Sequence, residues 1–331
     1  MIPYRLYIGN TQIDTHKLTQ DLSKLCEKPS FFNSHLKGDL LNFYAIMKTV
    51  FLAILALQIC LDRRGFSPNA MDGQTGSKTR AALAAYCAAN NLPPPKPDEE
   101  EFAFEKYFSD EPDLFITVEV NAADIAALTK IPESPAAKSK LQRMGYETIL
   151  EMFAERGHVT QNTLKRLNPH IVWNKATVGT KIKIPEVSPV AVGDKAAFIK
   201  VSLSRFTVTA MDINGRPMAL FPCSIAKNRS KRPPPGEIKI ITQIPNPNYT
   251  YTPDYTPKGK RIERHIFPPG PNNPVGVVWL GLSIPGYGIH GAPLPERIGR
   301  AESHGCFRLA NWNAEKLYEL VRAGTRVIIE P

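Results

Sequence analysis

The chain has 331 residues, 43% apolar and 22% charged, a globular composition that excludes a largely disordered protein. Its length allows two or three domains, and its formal charge of +10 favours an acidic partner. Lys and Arg are spread along the chain without a dense basic helix or an aromatic RNA-binding motif, so nucleic acid is not the expected partner. The five cysteines (Cys26, Cys60, Cys87, Cys223 and Cys306) are an odd number without CxxC spacing, leaving at least one thiol free in a monomer. Cys60 and Cys87 fall in helix-like segments and are expected as buried thiols rather than a disulfide.

Residues 1–46 form an extension of unclear status, with no apolar core after Met1. From Met47 and Lys48 a run through Val50, Phe51, Leu52, Ile54 and Leu57 has the order of an export leader. It is short and interrupted for a membrane span, and no stable span is expected; a buried helix is the preferred reading. Residues 47–92 read as helix, Gly-rich loop, helix, with Gly65 as a C-terminal cap and Ser77 or Thr79 as an N-terminal one. Gln58, Phe66, Asp72, Gly73, Gly76 and Thr79, followed by an Ala-rich stretch, resemble the first peptidoglycan-binding module; Cys87 departs from its pattern.

Pro93 to Pro97 and the acidic run Asp98 to Glu101 form a stiff linker, 93–101. In the connecting region 102–143 the alternation from Phe115 to Val120 predicts one strand of unassigned role. In residues 144–190, Ile149, Leu150, Phe153 and Ala154 have helical spacing, as do Leu164 and Leu167 before Asn168-Pro169. Gly179 to Pro185 then reads as turn and strand. This order resembles a βααβ LysM carbohydrate-binding module, with Leu141 to Met144 a poor match for its opening strand.

Residues 194–331 are strand-rich, with runs at 198–203, 206–211, 218–225 and 275–282. Asn214-Gly215 is a hairpin turn signal. Pro233 to Ile240 marks the start of a further strand. Asn311 or Asn313 is expected to cap a helix carrying Leu317, Leu320 and Val321, and Thr325 to Ile329 closes the sheet. The whole reads as a multidomain α+β chain: a helical module, a βααβ module and a mostly β C-terminal domain with one helix after the candidate nucleophile.

That nucleophile is Cys306, inside Ser303-His304-Gly305-Cys306-Phe307-Arg308, with His290-Gly291 upstream. A thiol becomes reactive as its thiolate, and a nearby imidazole can take the proton. Either histidine fits as base: on a strand, His304 shares a face with Cys306. Backbone N–H groups of Gly305 and Cys306 are candidate oxyanion donors. Arg308 suits a substrate carboxylate or a loop brace, and Tyr287 and Trp279 are candidate cleft walls. His290, His304 and Cys306 are also legal zinc ligands, but HExxH, HxH and CxxC are absent and no metal is expected. A serine mechanism at Ser303 lacks GxSxG. His16, His35, His158, His170 and His265 default to surface or structural positions.

The joined string His290, Gly291, Ser303, His304, Gly305, Cys306 and Arg308 resembles the signature of the YkuD-type L,D-transpeptidases. Pro233 to Ile240 resembles that family's TPxGxFxI segment, with Pro234 replacing the Thr. The resemblance implies a β-sandwich catalytic domain and no cofactor. It implies that His290 is the base, held by the carbonyl of Gly291. Its substrates would be peptidoglycan stem peptides and glycan, in the cell envelope or periplasm. Two rivals remain open: a hydrolase using the same cysteine, and a non-catalytic wall-binding protein.

Overall fold

The computed structural model describes residues 5–8, 11–14, 34–93, 96, 103–111, 113–189, 194–253, 263–303 and 305–331, with side-chain environments from Lys48 onward. Cys26, His16 and His304, and most of the 93–101 linker, lie outside the described residues or side chains. The chain divides into two compact units, Met1–Val50 and Phe51–Pro331. In the first, β1 (Arg5–Ile8) pairs antiparallel with β2 (Thr11–Asp14). Helix α1 (Ser34–Arg63) starts in that unit and ends in the second.

From Phe51 onward, α1 is buried on more than one side. Phe51, Leu55 and Ile59 join one apolar core, while Leu57, Cys60 and Leu61 join another. A helix apolar all round belongs between two cores, which accounts for the leader-like run. No helix among the described residues is long and apolar enough to cross a membrane. Gly65, at φ +83°, ends α1 in the left-handed turn that favours glycine.

Gln58 gathers the loop that follows. Its amide donates to Asp72, to the Gln74 carbonyl and to Thr79 Oγ1, each at 3.1 Å. Its carbonyl oxygen accepts from the Asp72 and Gly73 N–H groups. Helix α2 (Ser77–Ala89) therefore begins without the expected side-chain cap: its N-cap is Gly76, and Thr79 is bonded to Gln58. Cys60 and Cys87 are both buried free thiols.

Strand β3 (Phe115–Glu119) pairs antiparallel with β4 (Lys181–Pro185), setting Phe115 opposite Pro185 and Glu119 opposite Lys181. The opening partner of this second core is thus 115–119 and not 141–144. Between the strands, α3 (Ile149–Arg156) and α4 (Gln161–Leu167) are capped by Thr148 and Thr160, whose hydroxyls accept from the N–H groups of Glu151 and Thr163. Asn168 ends α4 and ties it to β4: its amide donates to the Lys183 carbonyl and accepts from the Lys183 N–H, both at 2.8 Å.

The C-terminal part is mostly β. Its strands are β5 (Phe198–Ser202), β6 (Thr207–Met211), β7 (Pro217–Pro222), β8 (Ile225–Ala226), β9 (Gly236–Pro245), β10 (Tyr249–Tyr251), β11 (His265–Phe267), β12 (Val278–Leu282), β13 (Gly288–His290), β14 (Ala301–Ser303), β15 (Phe307–Arg308) and β16 (Arg326–Glu330), and helix α5 (Asn311–Leu320) packs on β12 and β13. Eight of them make one mixed sheet, in the order β15-β13-β12-β9-β16-β5-β6-β7. The β6–β7 hairpin turns at Asp212 to Arg216 with Gly215 at φ +76°. The two edges of the sheet meet: Ser224, just past β7, exchanges both backbone hydrogen bonds with Arg308 on β15, at 2.8 and 2.9 Å. The C-terminal domain is thus mostly β with one helix after Cys306, as expected, and its long strand β9 pairs with β12 on one side and β16 on the other.

The upstream segments of the second unit pack directly on this sheet. Backbone of 65–67 bonds along β7, from Ser67 N–H to the Leu220 carbonyl and from Leu220 N–H to the Gly65 carbonyl. Asp62, at the end of α1, is fully buried between His158 (2.7 Å) and Lys316 of α5 (3.3 Å). The His158 ring stacks on Trp312, 4.8 Å between centroids. Burial alone would raise the Asp62 carboxyl; Lys316 and His158 override it and hold it well below the usual range.

Candidate active site

His290 ends β13, and the parallel register with β15 sets Ile289 beside Phe307 and His290 beside Arg308. Cys306 immediately precedes β15, so the sheet brings thiol and imidazole onto neighbouring strands. His290 is 4% exposed. Its Nδ1 lies 2.6 Å from the Gly291 carbonyl oxygen, which can only accept, so the proton sits on Nδ1 and Nε2 keeps its lone pair. The Trp279 ring stacks on the imidazole at 5.5 Å and 19°, fixing its plane. A Cβ at Gly288 would come within 2.6 Å of that ring, so the closeness of the stack depends on glycine there.

Burial pushes the His290 pKa down to about 4, assisted by Arg308 and opposed by the Gly291 hydrogen bond. Burial also pushes the Cys306 thiol up, against the opposing pull of the Gly288 backbone and Arg308. At neutral pH the resting pair is therefore a thiol and a neutral imidazole. Cys306 is partly exposed, with its sulfur 3.6 Å from the Gly286 carbonyl.

Ser303 shapes the nucleophile turn. Its hydroxyl donates to the Cys306 carbonyl at 2.6 Å and accepts from the Gly305 N–H at 3.3 Å. Gly305 faces the Tyr287 ring, which would lie 3.6 Å from an added Cβ, and the Tyr287 hydroxyl donates to the Lys231 carbonyl. Arg308 lines a cleft of about 720 Å³ that also draws Lys138, Glu147, Lys227 and Glu302 to its walls. Its buried Nε has no hydrogen-bond partner among the described residues. The position of His304 lies outside the described residues.

Two residues that the sequence reading did not place in the site, Asn311 and Glu155, complete the surroundings. Asn311 is buried at the first turn of α5, but the N-cap is Ala310 and no side chain caps the helix. The Asn311 amide lies instead against Gly291, the residue after the base: an added Cβ on Gly291 or on Gly276 would come within 2.3 or 2.2 Å of its Oδ1. Oδ1 accepts from the Val277 N–H, while Nδ2 donates to the Pro271 carbonyl and to Glu155 on α3. Asn311 had a local signal, its place at a helix start. Glu155 had none, because its partner is 156 residues away.

Residues 196–329 match the YkuD family, described as the L,D-transpeptidase catalytic domain. A Bacillus licheniformis protein provisionally named L,D-transpeptidase YkuD is 30% identical over 184 residues, covering 55% of this chain and 93% of that protein. Its Bacillus subtilis namesake is 34% identical over 131 residues, 40% of this chain and 64% of that one. Among solved structures, an L,D-transpeptidase from Mycobacterium smegmatis aligns over 47% of this chain and 65% of its own, at TM-score 0.32 and 17% identity.

Proposed function

Because the chain belongs to the YkuD family of L,D-transpeptidases, we propose that it cross-links peptidoglycan stem peptides through a thioester on Cys306. The observation that carries this reading is the tautomer of His290: with Nδ1–H held by Gly291, Nε2 is a free acceptor one strand from the thiol. As Sγ attacks the donor carbonyl, its proton passes to Nε2 and a C–S bond forms. The Gly305 N–H is donated to the Ser303 hydroxyl, so the tetrahedral oxyanion falls to the backbone N–H of Cys306, a class of donor worth about 3–4 kcal/mol. Collapse releases the terminal D-residue as an amine, which takes the proton from His290. An acceptor amine then attacks the thioester, loses a proton to Nε2 and frees the Cys306 sulfur.

No metal or organic cofactor enters these steps. Arg308 offers a guanidinium to a stem carboxylate, and Trp279 and Tyr287 border the base and the nucleophile turn. The expected site of action is the cell envelope. The first upstream segment is proposed to bind the wall by its resemblance to the peptidoglycan-binding module, whose loop residues Gln58, Asp72 and Thr79 are joined in one hydrogen-bond network. The β3–α3–α4–β4 unit supports a LysM-like reading of the second. A carbapenem added to the full chain is expected to add one mass equivalent, on Cys306 and no other cysteine. An unlabelled Cys306, or an adduct that persists in Cys306→Ala, overturns the reading.

A further inference from the structure

The segment that follows the base is braced from outside the catalytic sheet. Gly291, whose carbonyl orients His290, has no room for a side chain: an added Cβ would meet Asn311 Oδ1 at 2.3 Å and the Gly276 Cα at 3.2 Å. Which way that amide faces is decided by its partners. Oδ1 is turned to the Val277 N–H, and Nδ2 to the Pro271 carbonyl and to Glu155 Oε1 at 2.9 Å. The same Glu155 oxygen accepts from the Tyr146 hydroxyl at 3.2 Å. A carboxylate receiving two donors fixes an amide more firmly than a carboxyl group that must place a proton of its own.

We propose that Glu155, on helix α3 of the second upstream segment, is a positioning residue for His290: its carboxylate orients the Asn311 amide, which holds the Gly291 carbonyl against the imidazole. The inference rests on the functional reading above only in taking His290 as the base. It assigns the second upstream segment a part in catalysis distinct from wall binding. The groups around the carboxylate are Tyr146, Asn311, and the acidic Glu151 and Glu315. Burial raises Glu155 to about 7, with Glu151 and Glu315 adding to the rise and the Asn311 and Tyr146 hydrogen bonds opposing it. The brace therefore loosens as pH falls through neutrality.

The test follows Cys306 acylation by a carbapenem in the full chain from pH 5.5 to 8.5, with His290 imidazole NMR signals recorded on the same samples. Wild type is expected to accelerate through an inflection near pH 7 (the Glu155 ionisation). Glu155→Gln loses the inflection, and Glu155→Ala slows acylation roughly 10- to 100-fold. Tyr146→Phe, which removes a bond favouring the carboxylate, moves the inflection to higher pH. A native-like Glu155→Gln that keeps the wild-type inflection and unshifted His290 signals overturns the inference. Should that variant fail to fold, an unmoved inflection in Tyr146→Phe overturns it equally. A wild-type Cys306 that never acylates sinks the functional reading instead, and the NMR comparison still decides the role of Glu155.

Discussion

At the candidate base and nucleophile, burial sets the chemistry more than charge pairing does. His290 has its pKa lowered to about 4 and Cys306 is pushed up, so the two do not rest as an imidazolium–thiolate pair. Alkylation of Cys306 by a small neutral reagent is expected to rise in the alkaline range. A plateau already reached near pH 5 would contradict a neutral resting pair. The same shift bears on stability. Between about pH 6.5 and 4 the unfolded chain binds a proton at His290 that the folded chain refuses, so stability is intact above that window and falls through it. The loss amounts to about 3 kcal/mol at most. His158, also lowered by burial, acts in the same direction. A wild-type melting temperature that drops over this range, and drops less in His290→Gln, is the expected result.

Helix ends and strand partners show what local pattern can and cannot give. The apolar spacing of 149–154 and 164–167, the Asn214-Gly215 turn and the runs at 198–203 and 206–211 were readable because their signals are short-range. The caps of α2 and α5 were not. Thr79 and Asn311 are good capping residues whose side chains were taken by distant partners, Gln58 in one case and Glu155 in the other. The partner of β4 was equally hidden, because the insertion between the strands separates Glu119 from Lys181. Two substitutions test how tightly these elements are set. Gly291→Ala puts a methyl within 2.3 Å of Asn311 Oδ1 and is expected to cost about 1–3 kcal/mol while also displacing the base. Lys316→Met leaves the fully buried Asp62 with His158 alone and is expected to cost about 3 kcal/mol, measured by denaturant melts.

At the scale of the molecule, residues 51–331 behave as one compact unit rather than as beads on a linker. The upstream segments lend backbone to the edge of β7, a carboxylate to Lys316, a ring to Trp312 and an acceptor to Asn311. The sequence divides this stretch into modules because each local pattern is complete in itself; the side chains that join them carry no periodicity. A fragment of residues 194–331 is expected to melt below the full chain by about 4 °C or more, since it exposes the partners of all four contacts. Equal melting temperatures would mean that the docking adds nothing to stability.

On the proposed function, Cys306, with His290 as base, transfers a stem-peptide acyl group to an amine. The most direct test incubates the purified full chain with disaccharide-tetrapeptide muropeptides and weighs the products. The expected product is a cross-linked dimer formed with loss of one terminal D-residue, with neither dimer nor loss for Cys306→Ala. Cross-linking that survives Cys306→Ala, or trimmed stems without any dimer from the wild type, would contradict that function.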